Sequence, residues 1–180
     1  LVIRHALHVK VVADNDQREN IFQSRCIIKE HVCSLIIDGG SCTNVAATTL
    51  VDKLKLPTTA HPSPYRLKWM SNGNQIKVTQ QVLLSFSIGK RYKDEVLCDV
   101  IPMDACHILL GRPWQYDRRA KHDGRKNTYT IKVDERSITL TTLNPSQIQI
   151  TKIPKTQKEN LFLSGECVER ALQKKRSLNE

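Results

Sequence analysis

The sequence predicts an all-β domain, mainly strands with one or two short helices, within a chain of 180 residues. Short stretches rich in Val, Ile, Leu and Tyr recur between residues 21 and 143, and turn signals separate them. Helical periodicity is confined to two brief segments. We therefore divide the chain into an irregular flank at 1–20, one folded domain at 21–143, and a polar segment at 144–180 that is typical of a linker.

The first half of this domain is predicted to contain two hairpins with a helix between them. In order, we expect strands at 22–29 and 32–37, a helix at 44–54, a proline-rich loop at 57–64, and strands at 65–70 and 76–82. Thr43 or Asn44 would cap the helix. Asn72-Gly73 is a dipeptide that strongly indicates a tight hairpin turn, so it should lie at the tip of the second hairpin.

The second half of the domain is predicted to continue the sheet. The expected elements are strands at 83–88 and 92–101 around a turn at 89–91, a buried run at 108–111, a short helix at 113–116, and a last hairpin at 128–133 and 137–140. Pro113 suits the first turn of that helix, because the N–H that proline lacks is not needed there. Outside the domain, residues 1–12 could form a strand and residues 167–176 a marginal helix.

The most informative feature is Asp38, which ends an apolar strand and is followed by Gly39-Gly40. A carboxylate at the end of a buried strand must be neutralised or given a partner. Glycine after it permits a sharp turn and lets another chain or a substrate come close. Such a carboxylate suits general acid/base chemistry on water. On the tripeptide alone, a plain turn after a strand is the favoured interpretation.

Charge and cysteine content restrict the class of function. The formal net charge of +10 is spread along the chain, so a basic surface could attract nucleic acid non-specifically as a secondary property. The six cysteines include no Cys-x-x-Cys pair, and we expect no metal site and no cofactor. Several cysteines lie in apolar runs, which indicates core packing in a reducing, intracellular compartment. Charges interrupt the first twelve residues, so we expect neither a signal peptide nor membrane association.

Three stretches carry a family resemblance: 36–45 (IIDGGSCTNV), 94–117 (DEVLCDVIPMDACHILLGRPWQYD) and 122–129 (HDGRKNTY). Together they resemble the retropepsins, the aspartic proteases of retroviral type, and more closely the protease region of plant gypsy-type LTR retrotransposon Gag-Pol polyproteins. The likeness spans about residues 20–143, and its long second stretch is the specific one. It implies a closed β-barrel of the acid-protease half type, with reverse transcriptase to follow, in the cytoplasm or a virus-like particle.

The resemblance implies an aspartic-type endopeptidase that cleaves a Gag-Pol type polypeptide as a homodimer. Peptide hydrolysis of this kind needs two carboxylates that share one proton, because like charges about 3 Å apart cannot both ionise. This chain offers one such carboxylate, Asp38, since Asp123-Gly124 follows a polar run and not an apolar strand. A two-fold homodimer would place Asp38 beside its own copy.

The resemblance also implies supporting roles by position. The hairpin tip would be a flap that closes over an extended peptide, although an ordinary surface hairpin would show the same pattern. Substrate-binding roles fall to Gly40 and, in the flap, to Met70, Ser71, Asn72 and Gly73. Supporting roles at the active site fall to Gly39, Ser41, Leu110 and Gly111.

Gly39 departs from the family pattern. Retropepsins usually have Ser or Thr directly after the catalytic aspartate, where its hydroxyl braces two loops across the dimer. Ser41 could supply a hydroxyl instead. The departure leaves open an alternative function, a catalytically inactive retropepsin-like domain that dimerises or binds peptide. A nucleic-acid-associated segment is disfavoured, because the sequence shows neither aromatic stacking platforms nor a zinc knuckle.

Overall fold

Within the described residues, the chain forms one large curled sheet, one small sheet and two short helices. The computed structural model describes residues 20–68, 75–133 and 135–144, together with Arg18 and Gln147. The strands are β1 (Gln23–Ile28), β2 (His31–Ile37), β3 (Val45–Ala47), β4 (Thr58–Lys68), β5 (Gln75–Ile88), β6 (Tyr92–Ile101), β7 (Ile108–Leu110), β8 (Lys121–Asp123), β9 (Thr128–Val133) and β10 (Arg136–Thr141). The helices are α1 (Thr48–Lys53) and α2 (Arg112–Asp117). The predicted mainly-β class with short helices is therefore confirmed.

The large sheet has seven strands in the order β1-β2-β7-β3-β6-β5-β4, and the small sheet has the order β10-β9-β8. Most neighbouring strands are antiparallel, but β2 runs parallel to β7 and β3 runs parallel to β6. A single residue pair, Ile27 with Ser87, brings β1 back to β5. The large sheet therefore curls towards closure without forming a regular closed barrel.

The hairpin of β1 and β2 forms where the sequence predicts it. Ile28 pairs with His31, so the turn contains only Lys29 and Glu30. Both turn residues have positive φ, 44° and 67°, which matches the twist of the two strands that they join. Cys26 and Ile28 point into the core between exposed neighbours, as expected of a strand with one solvated face.

The predicted helix at 44–54 is wrong in its first part. Val45–Ala47 forms β3, which pairs with β6 on one side and with β7 on the other. All three residues are buried, so the contacts of the sheet outweigh the helical propensity of the two alanines. Helix α1 begins only at Thr48, and neither Thr43 nor Asn44 caps it.

The predicted loop at 57–64 is also wrong, because Thr58–Lys68 forms the long edge strand β4. It pairs with β5 at both ends, but the register shifts between Ala60 and Tyr65. Two prolines fall inside that irregularity, where a missing backbone N–H costs no ladder hydrogen bond. Here the prolines mark a bulge in an edge strand, and a local sequence pattern does not distinguish that from a loop.

Strand β7 lies between β2 and β3, and all three of its residues are buried. This confirms the predicted buried run, which is the pattern of a strand covered on both faces. Cys26, Cys33, Cys98 and Cys106 are free and buried as well. Burial raises the pKa of the Cys106 thiol to about 12, so this group stays protonated and packs as a small apolar side chain.

The small sheet contains the last hairpin that the sequence predicts, β9 and β10, and one strand that it does not predict, β8. β8 is three exposed residues long and carries no hydrophobic pattern. The predicted strand at 1–12, the flap tip around 69–74 and the helix at 167–176 lie outside the described residues, and the domain limits stay predictions. Neither of the described helices is long and apolar enough to span a bilayer.

Asp94, on β6, fastens α2 to the large sheet. Its side chain is 6% exposed and accepts hydrogen bonds from Trp114 Nε1 at 2.9 Å, from Nε and Nη2 of Arg118, and from the Tyr92 hydroxyl. Burial alone would raise the pKa of Asp94, but these hydrogen bonds outweigh it and hold that pKa below the ordinary carboxyl value. Because α2 begins next to β7, the cluster also fixes the start of this helix against the core.

Replacing Asp94 with asparagine should lower the free energy of unfolding by about 2 kcal/mol near neutral pH. The loss is moderate because Arg118, which is left without its partner, is 35% exposed. Since folding lowers the pKa of Asp94, its stabilising contribution is present above about pH 4 and is lost as the pH falls further.

Urea denaturation at neutral and at strongly acidic pH measures both effects. Asp104 is exposed, so Asp104→Asn is the control: it should change neither the free energy of unfolding at neutral pH nor its decrease at acidic pH. A wild-type free energy of unfolding for Asp94→Asn at neutral pH would contradict this account of the cluster.

Candidate active site

Asp38 lies at the junction of β2 and β7. β2 ends at Ile37, which pairs in parallel with Leu110. One residue further on, the backbone N–H of Asp38 donates to the Leu110 carbonyl at 3.0 Å. Asp38 is half-buried, while Gly39 and Gly40 are exposed. The central strands therefore carry one carboxylate to the surface, on a glycine turn that another chain can approach.

The turn itself provides hydrogen-bond donors for the Asp38 carboxylate. Oδ1 accepts from the Gly40 N–H at 2.9 Å, and Oδ2 accepts from the Ser41 hydroxyl at 2.7 Å. Ser41 is fully buried, so its hydroxyl is held in one place. The Asp38 carboxylate, at the end of its strand, is thus stabilised by two hydrogen-bond donors from its own loop. The Ser41 hydroxyl is bound within its own chain and is not offered to a second copy.

Gly111, directly after β7, packs against the loop that follows the candidate carboxylate. A Cβ at this position would lie 2.3 Å from the Thr43 carbonyl oxygen and 2.7 Å from that of Ser41. The Gly111 N–H donates to Asn44 Oδ1 at 2.9 Å, and the Arg112 N–H donates to the Ser41 carbonyl at 2.8 Å. Two backbone segments are therefore in direct contact, and only glycine fits between them.

The sequence analysis does not assign two residues to the candidate site, Tyr129 and Asn44. Burial, and then the negative charge of Asp38, raise the pKa of Tyr129, so this β9 residue lies near the site. Its ring stacks on His122 with centroids 4.4 Å apart and meets Phe22 edge-on. Tyr129 has no local signal beyond its place in a stretch that resembles the retropepsins. Asn44, the acceptor for the loop contact, is assigned by the sequence pattern to a helix cap.

A buried carboxylate, Asp99, ties the same loop to the β4–β5 hairpin. It is 5% exposed and accepts hydrogen bonds from Thr43 Oγ1 at 2.8 Å, the Tyr65 hydroxyl at 2.6 Å and Gln81 Nε2 at 2.9 Å. His61 Nε2 lies 3.4 Å from Oδ1 of the same carboxylate. These side chains border a cavity of about 400 Å³. The strands that lead to the predicted flap are thus connected to the candidate catalytic loop.

Asp123, the other aspartate that glycine follows, forms a turn. It is exposed, and its Oδ1 accepts from the N–H groups of Arg125 and Lys126, each at 3.0 Å. This agrees with the interpretation that Asp123 is not a second catalytic carboxylate. Among the residues that the structure describes, no three His, Cys, Asp or Glu side chains are grouped to hold a metal ion. The predicted flap residues lie outside the described residues; they are Met70, Ser71, Asn72 and Gly73.

Comparisons with known proteins agree with this architecture. A family model described as the PEG10/RTL1 protease domain matches residues 34–131. Among solved structures, the chain is similar to the retroviral protease-like domain of Ddi1 from Leishmania major, with a TM-score of 0.50 and 13% sequence identity. The likeness covers 71% of this chain and 96% of that one, and at this identity it shows the fold alone. The retropepsin-like fold is thereby confirmed. A separate comparison with curated proteins gave no match.

Replacing Gly111 with alanine should destabilise the protein by at least about 3 kcal/mol, because the added methyl would overlap two backbone carbonyls that cannot retreat independently. Gly124→Ala is the matched control, since a Cβ there meets no atom within 4 Å. Urea denaturation of the two variants measures the difference. A Gly111→Ala protein as stable as the wild type would show that the loop contact is looser than described.

Proposed function

Because this chain belongs to the family of the PEG10/RTL1 protease domain, we propose that it is an aspartic-type endopeptidase that acts as a homodimer. Each chain lends one Asp38 carboxylate to a shared centre on the two-fold axis. The observation that carries the proposal is a single carboxylate, oriented by two donors of its own loop, on an exposed glycine turn. The other Asp-Gly of the chain caps a surface turn, so the second carboxylate has to come from a second chain.

The chemistry follows from two like carboxylates held close together. At a separation of about 3 Å they share one proton, which belongs to the pair and not to one residue. The ionised member takes a proton from water, which attacks the scissile carbonyl carbon, while the protonated member donates to the carbonyl oxygen. Collapse of the tetrahedral intermediate breaks the C–N bond as the leaving amine receives a proton. The donors on Gly40 and Ser41 keep each carboxylate in one orientation during these transfers.

The proposed substrate is an extended polypeptide of the Gag-Pol type. Gly40 is exposed beside the carboxylate and lets the peptide backbone approach closely. Leu110 and Gly111 support the loop from behind. The β4–β5 hairpin supplies the flap, and the hydrogen bonds that Asp99 accepts connect that hairpin to the catalytic loop.

The proposed setting follows from the resemblance to plant gypsy-type elements. The domain would mature a retrotransposon polyprotein inside the cell, in the cytoplasm or in a virus-like particle. The net charge of +10 would hold the domain near nucleic acid in such a particle by non-specific attraction.

A second candidate function is a catalytically inactive retropepsin-like domain that dimerises or binds peptide. Gly39 is the observation that favours it, because this exposed position has no hydroxyl to brace two loops. The Ser41 hydroxyl is bound to Asp38 of its own chain and does not replace it. In this case the dimer would form and bind polypeptide without cleaving it.

Asp38→Asn should lower the rate of cleavage of a Gag-type polypeptide by at least about 1,000-fold at mildly acidic pH, because a neutral amide cannot accept a proton from water. A statine-type inhibitor should block the wild-type reaction. Mass spectrometry of the products measures both effects. Asp123→Asn is the matched control, since it makes the same change in the other exposed Asp-Gly turn and should leave the rate unchanged.

Two outcomes of this experiment contradict the proposal in different ways. Cleavage that survives Asp38→Asn would remove Asp38 from the catalytic role. A wild-type dimer that binds the polypeptide but cleaves it at no protein concentration would replace the enzyme with the inactive domain.

A further inference from the structure

Among the residues that the structure describes, the side-chain amide of Gln115, on α2, is a buried donor without an acceptor. Its Nε2 is shielded from solvent and makes no hydrogen bond within the described part of the chain. Native proteins pair nearly all such groups, because an amide that is withdrawn from water and left unpaired destabilises the fold. An orphaned donor of this kind therefore needs an explanation, and the explanation lies in what surrounds it.

The orphaned amide faces the turn that follows Asp38. A Cβ built on Gly39 would lie 3.6 Å from Gln115 Oε1 and 3.8 Å from Nε2. Gly39 is itself exposed and Gln115 is half-buried, so the amide lies directly behind the exposed surface of the turn. The backbone of Gln115 is fixed by its N–H, which donates to the Gly111 carbonyl at 3.2 Å. The amide is thus held on a rigid support directly beside the exposed glycines.

Two other donors beside the turn are already in use. The Gly40 N–H and the Ser41 hydroxyl both donate to the Asp38 carboxylate of the same chain. Gly39 contributes no side chain at all. Among the described buried side chains, the Gln115 amide is the one whose Nε2 makes no hydrogen bond, so it has spare capacity that a second chain could use.

We propose that Gln115 is a positioning residue of the dimeric site, and that its amide donates a hydrogen bond to a backbone carbonyl of the Asp38–Gly40 turn in the second copy. The inference rests on the proposed homodimeric protease and deepens it. Because a two-fold interface is self-complementary, the contact occurs twice, once on each side of the axis. The two bonds hold the turns, and with them the two carboxylates, at a fixed separation. The amide thereby braces the two turns across the axis, a role that Gly39 cannot perform because it has no hydroxyl.

The test compares Gln115→Leu, which keeps the side-chain volume but removes the amide, with the wild-type dimer. Two neutral hydrogen bonds are lost per dimer, so we expect the dissociation constant to rise roughly tenfold, as measured by analytical ultracentrifugation. The urea midpoint of the monomer should not fall, since an unpaired buried donor has been removed. Gln80→Leu, the same substitution at an exposed site on β5, is the matched control and should leave the dissociation constant unchanged.

Rescue separates a bracing role from a merely structural one. A serine at position 39 fits, because its Cβ would make only ordinary van der Waals contacts, and its hydroxyl restores a donor at the turn. We expect Gly39→Ser to recover most of the dimer affinity and of the cleavage rate in the Gln115→Leu background. Gln115→Met serves for the same comparison if the leucine variant does not fold.

The outcomes that overturn the inference are distinct from those that overturn the proposed function. A Gln115→Leu dimer as tight as the wild type, or a weakened dimer that Gly39→Ser does not rescue, removes Gln115 from the bracing role while the wild-type enzyme still cleaves. A wild-type chain that stays monomeric and inactive at every concentration removes the homodimeric protease, and the role of Gln115 with it.

Discussion

The contact between Gly111 and the loop after Asp38 is the constraint on which the rest of the structure depends. Parallel pairing of β2 with β7 brings the Leu110 carbonyl to the Asp38 N–H. Gly111, which follows Leu110, then lies so close to the carbonyls of Ser41 and Thr43 that there is no room for a side chain. Helix α2 begins immediately after this contact, so its position is set by the same crossing. The turn that carries the carboxylate, the helix behind it and the buried strand between them are therefore one mechanical unit.

Much of this unit could be predicted from local sequence, because its parts have local signals. An apolar strand that ends in Asp-Gly-Gly and a short buried run that ends in glycine are local signals for the turn and for β7, while the roles expected of Asp38, Leu110 and Gly111 come from the resemblance to the retropepsins. The strand β3 and the first half of β4 could not be predicted, since long-range pairing decides them: Val45–Ala47 is held between two other strands, and the prolines of β4 lie in a bulge. The polar contacts have no periodicity, and Asn44 and Gln115 acquire their roles only from what the fold places beside them.

Hydrogen bonding around the candidate site is nearly complete among the described residues of one chain, which explains how the Asp38 loop can fold without a second copy. The Asp38 carboxylate has two donors, and the Asp99 carboxylate has several, so neither requires a second copy for stability. Under the proposed function, one chain lacks a second carboxylate to share a proton, and its described residues offer no acceptor for the Gln115 amide. The Asp38 carboxylate and the Gln115 amide both lie at the exposed glycine turn, so the same surface would receive both missing partners.

The central claim is that two chains build one catalytic centre, and mixing active with inactive chains tests it most directly. A fixed amount of wild-type protein is equilibrated with increasing Asp38→Asn protein, and the cleavage rate is followed. If each centre needs a carboxylate from both chains, a ninefold excess of the inactive chain leaves about a tenth of the original rate, because wild-type chains then meet mostly inactive partners. A rate that does not change as the inactive chain is added would contradict the claim, since each chain would then carry a complete centre of its own.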